Sequence, residues 1–435
     1  MSKKHGVWSR AMALATVTPE SRNRYVDFLR ALSIFIVVVG HWLLAAPYIV
    51  DGNLIATGNM LESRPWTQWL SWLFQVMPVF FMVGGYANGI SWRSAQRNGR
   101  SYSVWLNGRL QRLVGPILPL LMIWVLLAVI GRQLGVDADL LQTGTQMALI
   151  PVWFLAVYIG VVVLVPLTYY AWQRFGLPSF WILFAAVVLD DVVFLTGTPA
   201  VGWLNYAFIW LAVHQLGYAW LDRRLGATTR VLVWAVTALA LLLVLIWFGP
   251  YPLSMVSVPG EEISNSSPPK LPMLLLGIAQ CGLLLALESP ARRWLSSLKV
   301  WTAAVLVNGM IMTVFLWHLT ASTLVIFVAV SVTGGVGLTY EPGSGTWWLL
   351  RPVWLSIYAI ALMGFVMLFL RFERGAGSQS IPAWRQVAGA VLISGGLAFL
   401  ALLGIGGEGR LASSIIIVLM PLIGAALAGV NPLRK

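Results

Sequence analysis

Apolar stretches of membrane length recur along the whole chain, at about 26–49, 69–91, 113–131, 148–170, 178–197, 203–220, 231–249, 271–287, 301–325, 348–370, 386–405 and 411–430. An α-helix rises about 1.5 Å per residue, so roughly 20 apolar residues cross a hydrocarbon core of about 30 Å. The pattern predicts an all-α polytopic membrane protein with about 12 transmembrane helices, made of a ten-helix core and two C-terminal helices. Three polar segments stand out: two outer loops at 50–68 and 250–270, and an arginine-rich inner loop at 92–112. The chain divides into a cytoplasmic N-terminal segment (1–25), a membrane domain (26–372) and auxiliary C-terminal helices (373–435) whose spans carry almost no polar groups. Pro78, followed by Gly84 and Gly85, predicts a bend in the second span and the close approach of a neighbouring helix.

Composition agrees with this reading: 59% of residues are hydrophobic and 10% charged, against about a quarter charged in soluble domains. A net charge of +13 invites a nucleic-acid reading, but the positions of the charges exclude it. With the N-terminus in the cytoplasm, 23 of the 28 basic residues fall on the inner side, while ten of the 15 acidic residues fall outside. The charge is therefore a topology signal for a multi-pass protein of the cell membrane with both termini cytoplasmic, not a footprint for nucleic acid. The first run is too long for a cleaved signal, contains Arg30 and His41, and reads as a retained span. Cys281 is the single cysteine and lies in an apolar run, which marks it as a buried thiol.

Arg30 and His41 are the chemically informative pair. Eleven residues apart, they lie almost three helical turns from one another on one face, about 16 Å along the axis. Ionisable groups inside a span are costly and mark functional sites. A neutral imidazole can take a proton from a hydroxyl as that hydroxyl attacks an acyl carbon. Such a histidine needs a partner that fixes its tautomer, and Asp190 and Asp191, in the outer third of the fifth span, sit at a compatible depth. Those aspartates either orient His41 or the acceptor, or mark the outer interface of a short helix. Arg109 and Arg112 lie one turn apart at the inner foot of the third span, where guanidinium forks suit phosphates. Arg93, Arg97 and Arg100 read as ordinary inner-side charge. His318 is either a second site residue or a packing polar group, Trp153 is a candidate cavity residue, and His214 reads as structural. Asn88, Asn308 and Gln75 read as interhelical hydrogen-bonders. No residue cluster suggests a metal.

Several motifs together resemble one family. Arg30 and His41 spaced by ten residues and preceded by Val26-Asp-Phe-Leu29, then Phe80-Phe-Met-Val-Gly-Gly-Tyr86, Arg109-Leu-Gln-Arg112, Val152-Trp-Phe-Leu155 and Phe315-Leu-Trp-His318 follow one another in the order of the acyltransferase-3 family of membrane O-acyltransferases. Gly84 stands where that family usually has Ser. The resemblance covers about residues 22–372. Gly40-His-Trp-Leu43 and Val83-Gly-Gly-Tyr86 further resemble the actinobacterial branch that includes trehalose-mycolate acetyltransferases. The resemblance implies transfer of an acyl group, often acetyl from acetyl-CoA or another acyl-CoA, to a hydroxyl of an envelope glycolipid or polysaccharide. It implies that His41 is the catalytic imidazole and that Arg30, Arg109 and Arg112 bind the donor. On this reading Asp190 joins His41 in catalysis, while Asp191, Trp153 and His318 contact the acceptor.

The alternative is a secondary transporter of a lipid or small polar solute, which twelve spans and intramembrane charges would suit. Many transporters are built from two matching halves, and no internal repeat is visible here. A lipid-carrier glycosyltransferase would want paired acids in its first outer loop, where Asp51 and Glu62 stand isolated.

Overall fold

The computed structural model describes residues 6–19, 22–373, 377, 379–407, 409 and 411–431. Lys3, Lys4, Glu20, Arg374, Glu408, Arg410, Arg434 and Lys435, which enter the charge count, and with them both chain ends, lie outside the described residues. Every one of the twelve apolar runs is helical, and a single two-stranded hairpin is the only sheet among the described residues. By length and composition, eight of the described helical segments can cross a membrane, or up to ten if each of two bent helix pairs counts as one span. The pairs are Ala138–Leu149 with Val152–Val163, bent by 46°, and Leu271–Ala286 with Glu288–Trp294, bent by 52°. The run at 301–325 breaks at Gly309 and Met310 into Leu298–Asn308 and Ile311–Thr333. The protein is an all-α polytopic membrane protein.

The chain forms two units. The first contains residues 1–37, 68–91 and 167–311, and the second 38–67, 92–166 and 312–435. The boundary falls inside the helix Arg24–Leu44, so Arg30 belongs to the first unit and His41 to the second.

In the first unit the helix Asn205–Leu221 is buried on nearly all sides. Gly85 lies against the His214 carbonyl and Gly217 against the Met82 carbonyl, so a Cβ at either position would collide with backbone. This is the close approach expected of the Phe80–Tyr86 segment, and small residues permit it where lipid supplies no hydrophobic drive between helices. Pro78 does not bend the interior of a helix. It sits at the first turn of Met77–Arg97, where a missing N–H costs little. Two of the residues expected to bond between helices do so: Asn88 Nδ2 meets His214 Nε2 at 3.0 Å and Asn308 Nδ2 donates to the Asp27 carbonyl at 2.8 Å. Gln75 instead lies between two helices and donates from Nε2 to the carbonyl of Met255 in the outer loop at 3.3 Å. By contrast, Thr228–Phe248 exposes Val233, Val236, Val244 and Phe248, as a lipid-facing helix does.

In the second unit, Ile311–Thr333 carries a cap made from a distant residue. The Glu373 carboxylate accepts from the backbone N–H groups of Met312 at 3.0 Å and Thr313 at 3.1 Å, and from the Thr313 hydroxyl at 2.7 Å. An anion at a helix N-terminus satisfies orphan donors and complements the dipole. The C-terminal helices Ala383–Leu403 and Leu411–Leu427 pack on one another through Gly389 and Gly424, and the first also packs on Val152–Val163. At the start of the first outer loop, Tyr48–Val50 and Asn53–Ile55 form a hairpin turned by Asp51 (φ 49°) and Gly52 (φ 80°), the left-handed pair that a tight turn requires.

Candidate active site

The helix Arg24–Leu44 carries His41 in its last turn, and Ile311–Thr333 carries His318 in its second. Their rings meet: His41 Nδ1 lies 2.8 Å from His318 Nε2, and the ring planes differ by only 4°. The centroids are 5.1 Å apart, as expected for an in-line bond between coplanar rings and not for face-to-face stacking. His318 Nδ1 in turn lies 2.7 Å from the Phe315 carbonyl. A carbonyl only accepts, so His318 Nδ1 carries a proton and, in the neutral ring, Nε2 is an acceptor. His41 Nδ1 must then donate, which leaves the lone pair of a neutral His41 on Nε2. His318 is fully buried, whereas His41 is half-buried and keeps accessible surface.

The pair is braced from several sides. Trp42 Nε1 donates to the His318 carbonyl at 3.0 Å. Phe154 of Val152-Trp-Phe-Leu155 packs edge-on against Phe315 with centroids 5.5 Å apart, joining two of the sequence motifs, while Trp153 beside it is half-buried. Trp317 stacks on Phe369 at 4.0 Å. Beyond His41 the helix ends, and the Ala45 carbonyl accepts a hydrogen bond from Nη2 of Arg351. Arg351 is buried and lies 3.9 Å over the Trp347 ring centroid. In the sequence Arg351 is one of the five basic residues on the outer side. The available signal was a cation inside the apolar run 348–370, against the charge bias of the chain. Glu373 escaped notice because nothing local links it to the start of Ile311–Thr333.

Arg109 and Arg112 also fall in the second unit, one turn apart on Tyr102–Val114. Arg109 is half-buried with its guanidinium 5.9 Å from the Trp105 ring centroid, and Arg112 is exposed. Arg30, in the first unit, lies 3.8 Å from Asp27, which Arg22 also engages at 2.6 Å. That hydrogen bond to Asp27 raises Arg22 above the usual guanidinium range.

Asp190 and Asp191 belong to the first unit and differ sharply. Asp191 accepts from Asn205 Nδ2 at 2.8 Å, the Tyr251 hydroxyl at 2.9 Å and the Leu271 backbone N–H at 2.7 Å. It therefore caps the helix Leu271–Ala286 and anchors the 249–270 loop. Tyr251 is pushed up by burial and by Asp191. Asp190 has both oxygens buried without a hydrogen-bond partner among the described residues. Lys270 is fully buried 3.6 Å from the Phe194 ring centroid; burial pulls it below the usual lysine range, opposed by Asp191 and Asp190. No group of residues that could hold a metal occurs among the described residues.

A membrane-embedded helical protein with two hydrogen-bonded histidines has the parts of a proton-transfer site. The family comparison gives that site its context: the model for the acyltransferase-3 family, an acyltransferase domain, matches residues 23–371. The chain belongs to this family and is a membrane acyltransferase. Comparison with curated proteins and with solved structures returns no match.

Proposed function

We propose that the protein is an O-acyltransferase of the cell membrane that moves an acyl group, most simply acetyl, from an acyl-CoA to a hydroxyl of an envelope glycolipid or polysaccharide. The observation that carries this reading is the bond from His41 Nδ1 to His318 Nε2, backed by the Phe315 carbonyl. It leaves Nε2 of the half-buried His41 as the basic atom. In this reading His41 Nε2 accepts the proton of the acceptor hydroxyl while the oxygen forms a bond to the thioester carbon. The C–S bond then breaks, and His41 returns the proton to the departing coenzyme sulfur. His318 acts through His41 as a positioning residue and stabilises the imidazolium that forms, the role a carboxylate has in a serine triad.

Arg109 and Arg112 supply guanidinium groups suited to the coenzyme phosphates. The strong bias of basic residues supports a cytoplasmic donor and cytoplasmic termini. The acceptor then approaches from the outer side, toward which the His41 end of the first span points. Membrane vesicles given radiolabelled acetyl-CoA and an envelope extract test this reading. It expects label in an extractable glycolipid or in glycan, absent with the His41→Ala variant. Label that stays with coenzyme A in the presence of active, folded protein would overturn it.

A further inference from the structure

Four helices of the first unit, Leu177–Leu195, Asn205–Leu221 through Leu216, Thr228–Phe248 and Leu271–Ala286, line a groove of about 420 Å³. Its walls are aliphatic and aromatic, with Trp181 and Trp234 edge-on to one another at 6.1 Å and Thr237 supplying the one side-chain hydroxyl among the lining residues. One end is formed by Leu225, Val231 and Leu285, the other by Leu241 and Leu275. Gly282 packs against Val231 and Ala235, so the last two helices run antiparallel with these ends in register. Ten residues separate the two ends on each of those helices, a run of about 15 Å. That is half of a hydrocarbon core of about 30 Å, the depth of one leaflet.

The end at Leu225 and Val231 is strongly basic. Arg224 immediately precedes Leu225, and Arg230 immediately precedes Val231. Arg224 lies 5.6 Å from the Trp172 ring centroid, and its Nη1 is 2.9 Å from where a Cβ on Gly176 would stand, over the start of Leu177–Leu195. The Arg230 guanidinium folds back over Gly226, with Nη1 3.1 Å from the corresponding Cβ position. Both side chains are exposed, and neither has a salt-bridge partner among the described residues. Arg223 adds a third charge, while Asp222, the single acid of this turn, accepts from Trp172 Nε1 at 2.7 Å.

We infer that this groove is a binding site for an anionic phospholipid, with one acyl chain along the groove and the phosphate held by Arg224 and Arg230. An apolar slot one leaflet deep fits a lipid chain. A basic end without carboxylate partners distinguishes an anionic headgroup from a zwitterionic one, since cations near a membrane surface favour anionic lipid. Guanidinium pairs also match phosphate oxygens in geometry. The site is separate from the transfer reaction and does not depend on it.

The test uses the full-length protein in detergent with equal amounts of dioleoyl phosphatidylglycerol and dioleoyl phosphatidylcholine, and counts retained lipids by native mass spectrometry. Phosphatidylglycerol should be retained preferentially, and Arg224→Gln and Arg230→Gln should each lower that preference roughly fivefold. Thr237→Trp and Leu241→Trp fill the groove from its exposed rim and should remove one bound phosphatidylglycerol. Should one of these tryptophan variants fail to fold, the other and the arginine variants still decide the matter. Equal retention of the two lipids by the unaltered protein, or a preference unchanged when both arginines are replaced, would overturn the assignment.

Discussion

The Arg351 guanidinium donates to the carbonyl of Ala45, four residues beyond His41, and so ties the end of the His41 helix to the helix Gly345–Phe369. One buried cation thereby bonds a helix terminus and stacks on Trp347. A lysine has no planar fork and cannot make these contacts together. Arg351→Lys should therefore lower the melting temperature in detergent by several degrees and reduce kcat about tenfold or more, because small displacements of a catalytic group are costly. Unchanged kcat in a folded R351K protein would remove Arg351 from the support of His41.

Asp191 and Asp190 should separate experimentally. Asp191→Ala leaves Asn205, Tyr251 and the Leu271 N–H without their acceptor, and the loss of charge-assisted bonds should cost about 3 kcal/mol or more. Its signature is a lowered melting temperature and poor yield. Asp190→Asn removes a carboxylate that has no hydrogen-bond partner among the described residues, and it should be tolerated far better in the same melting experiment. Equal destabilisation by the two substitutions would contradict the division of roles.

Donor binding should be electrostatic. Replacing Arg109 or Arg112 by Gln should weaken coenzyme A binding, measured by calorimetry, by roughly fivefold to tenfold at low salt. The difference from the unaltered protein should shrink as ionic strength rises, most for the exposed Arg112. Variants that bind coenzyme A normally at low salt would return both residues to a purely topological role.

Much of the architecture was legible because the bilayer imposes it: a run of about 20 apolar residues is a physical requirement that leaves a mark on any single sequence. The His41–His318 bond was not legible. It joins residues 277 positions apart, and only the packing of two helices decides which ring nitrogen faces which. Depth along the spans made Asp190 and Asp191 reasonable partners for His41, yet the His41 Nδ1 bond goes to His318, and Asp191 is bonded to Asn205, Tyr251 and Leu271. The hairpin at Tyr48–Ile55 carries an Asp-Gly turn signal, but it is too short to stand out from a polar loop.

The central claim, that His41 is the base and His318 fixes its tautomer, is tested most directly by turnover of a set of histidine variants at matched expression and melting temperature. His41→Ala should lower kcat by a factor of about 100 to 10,000, the range for loss of a general base. His318→Leu should lower kcat strongly with little change in KM for the donor. His318→Gln should recover part of that loss, because its amide oxygen can accept the His41 Nδ1 proton in place of Nε2. A folded His41→Ala protein with normal turnover, or His318→Gln no better than His318→Leu, would contradict it.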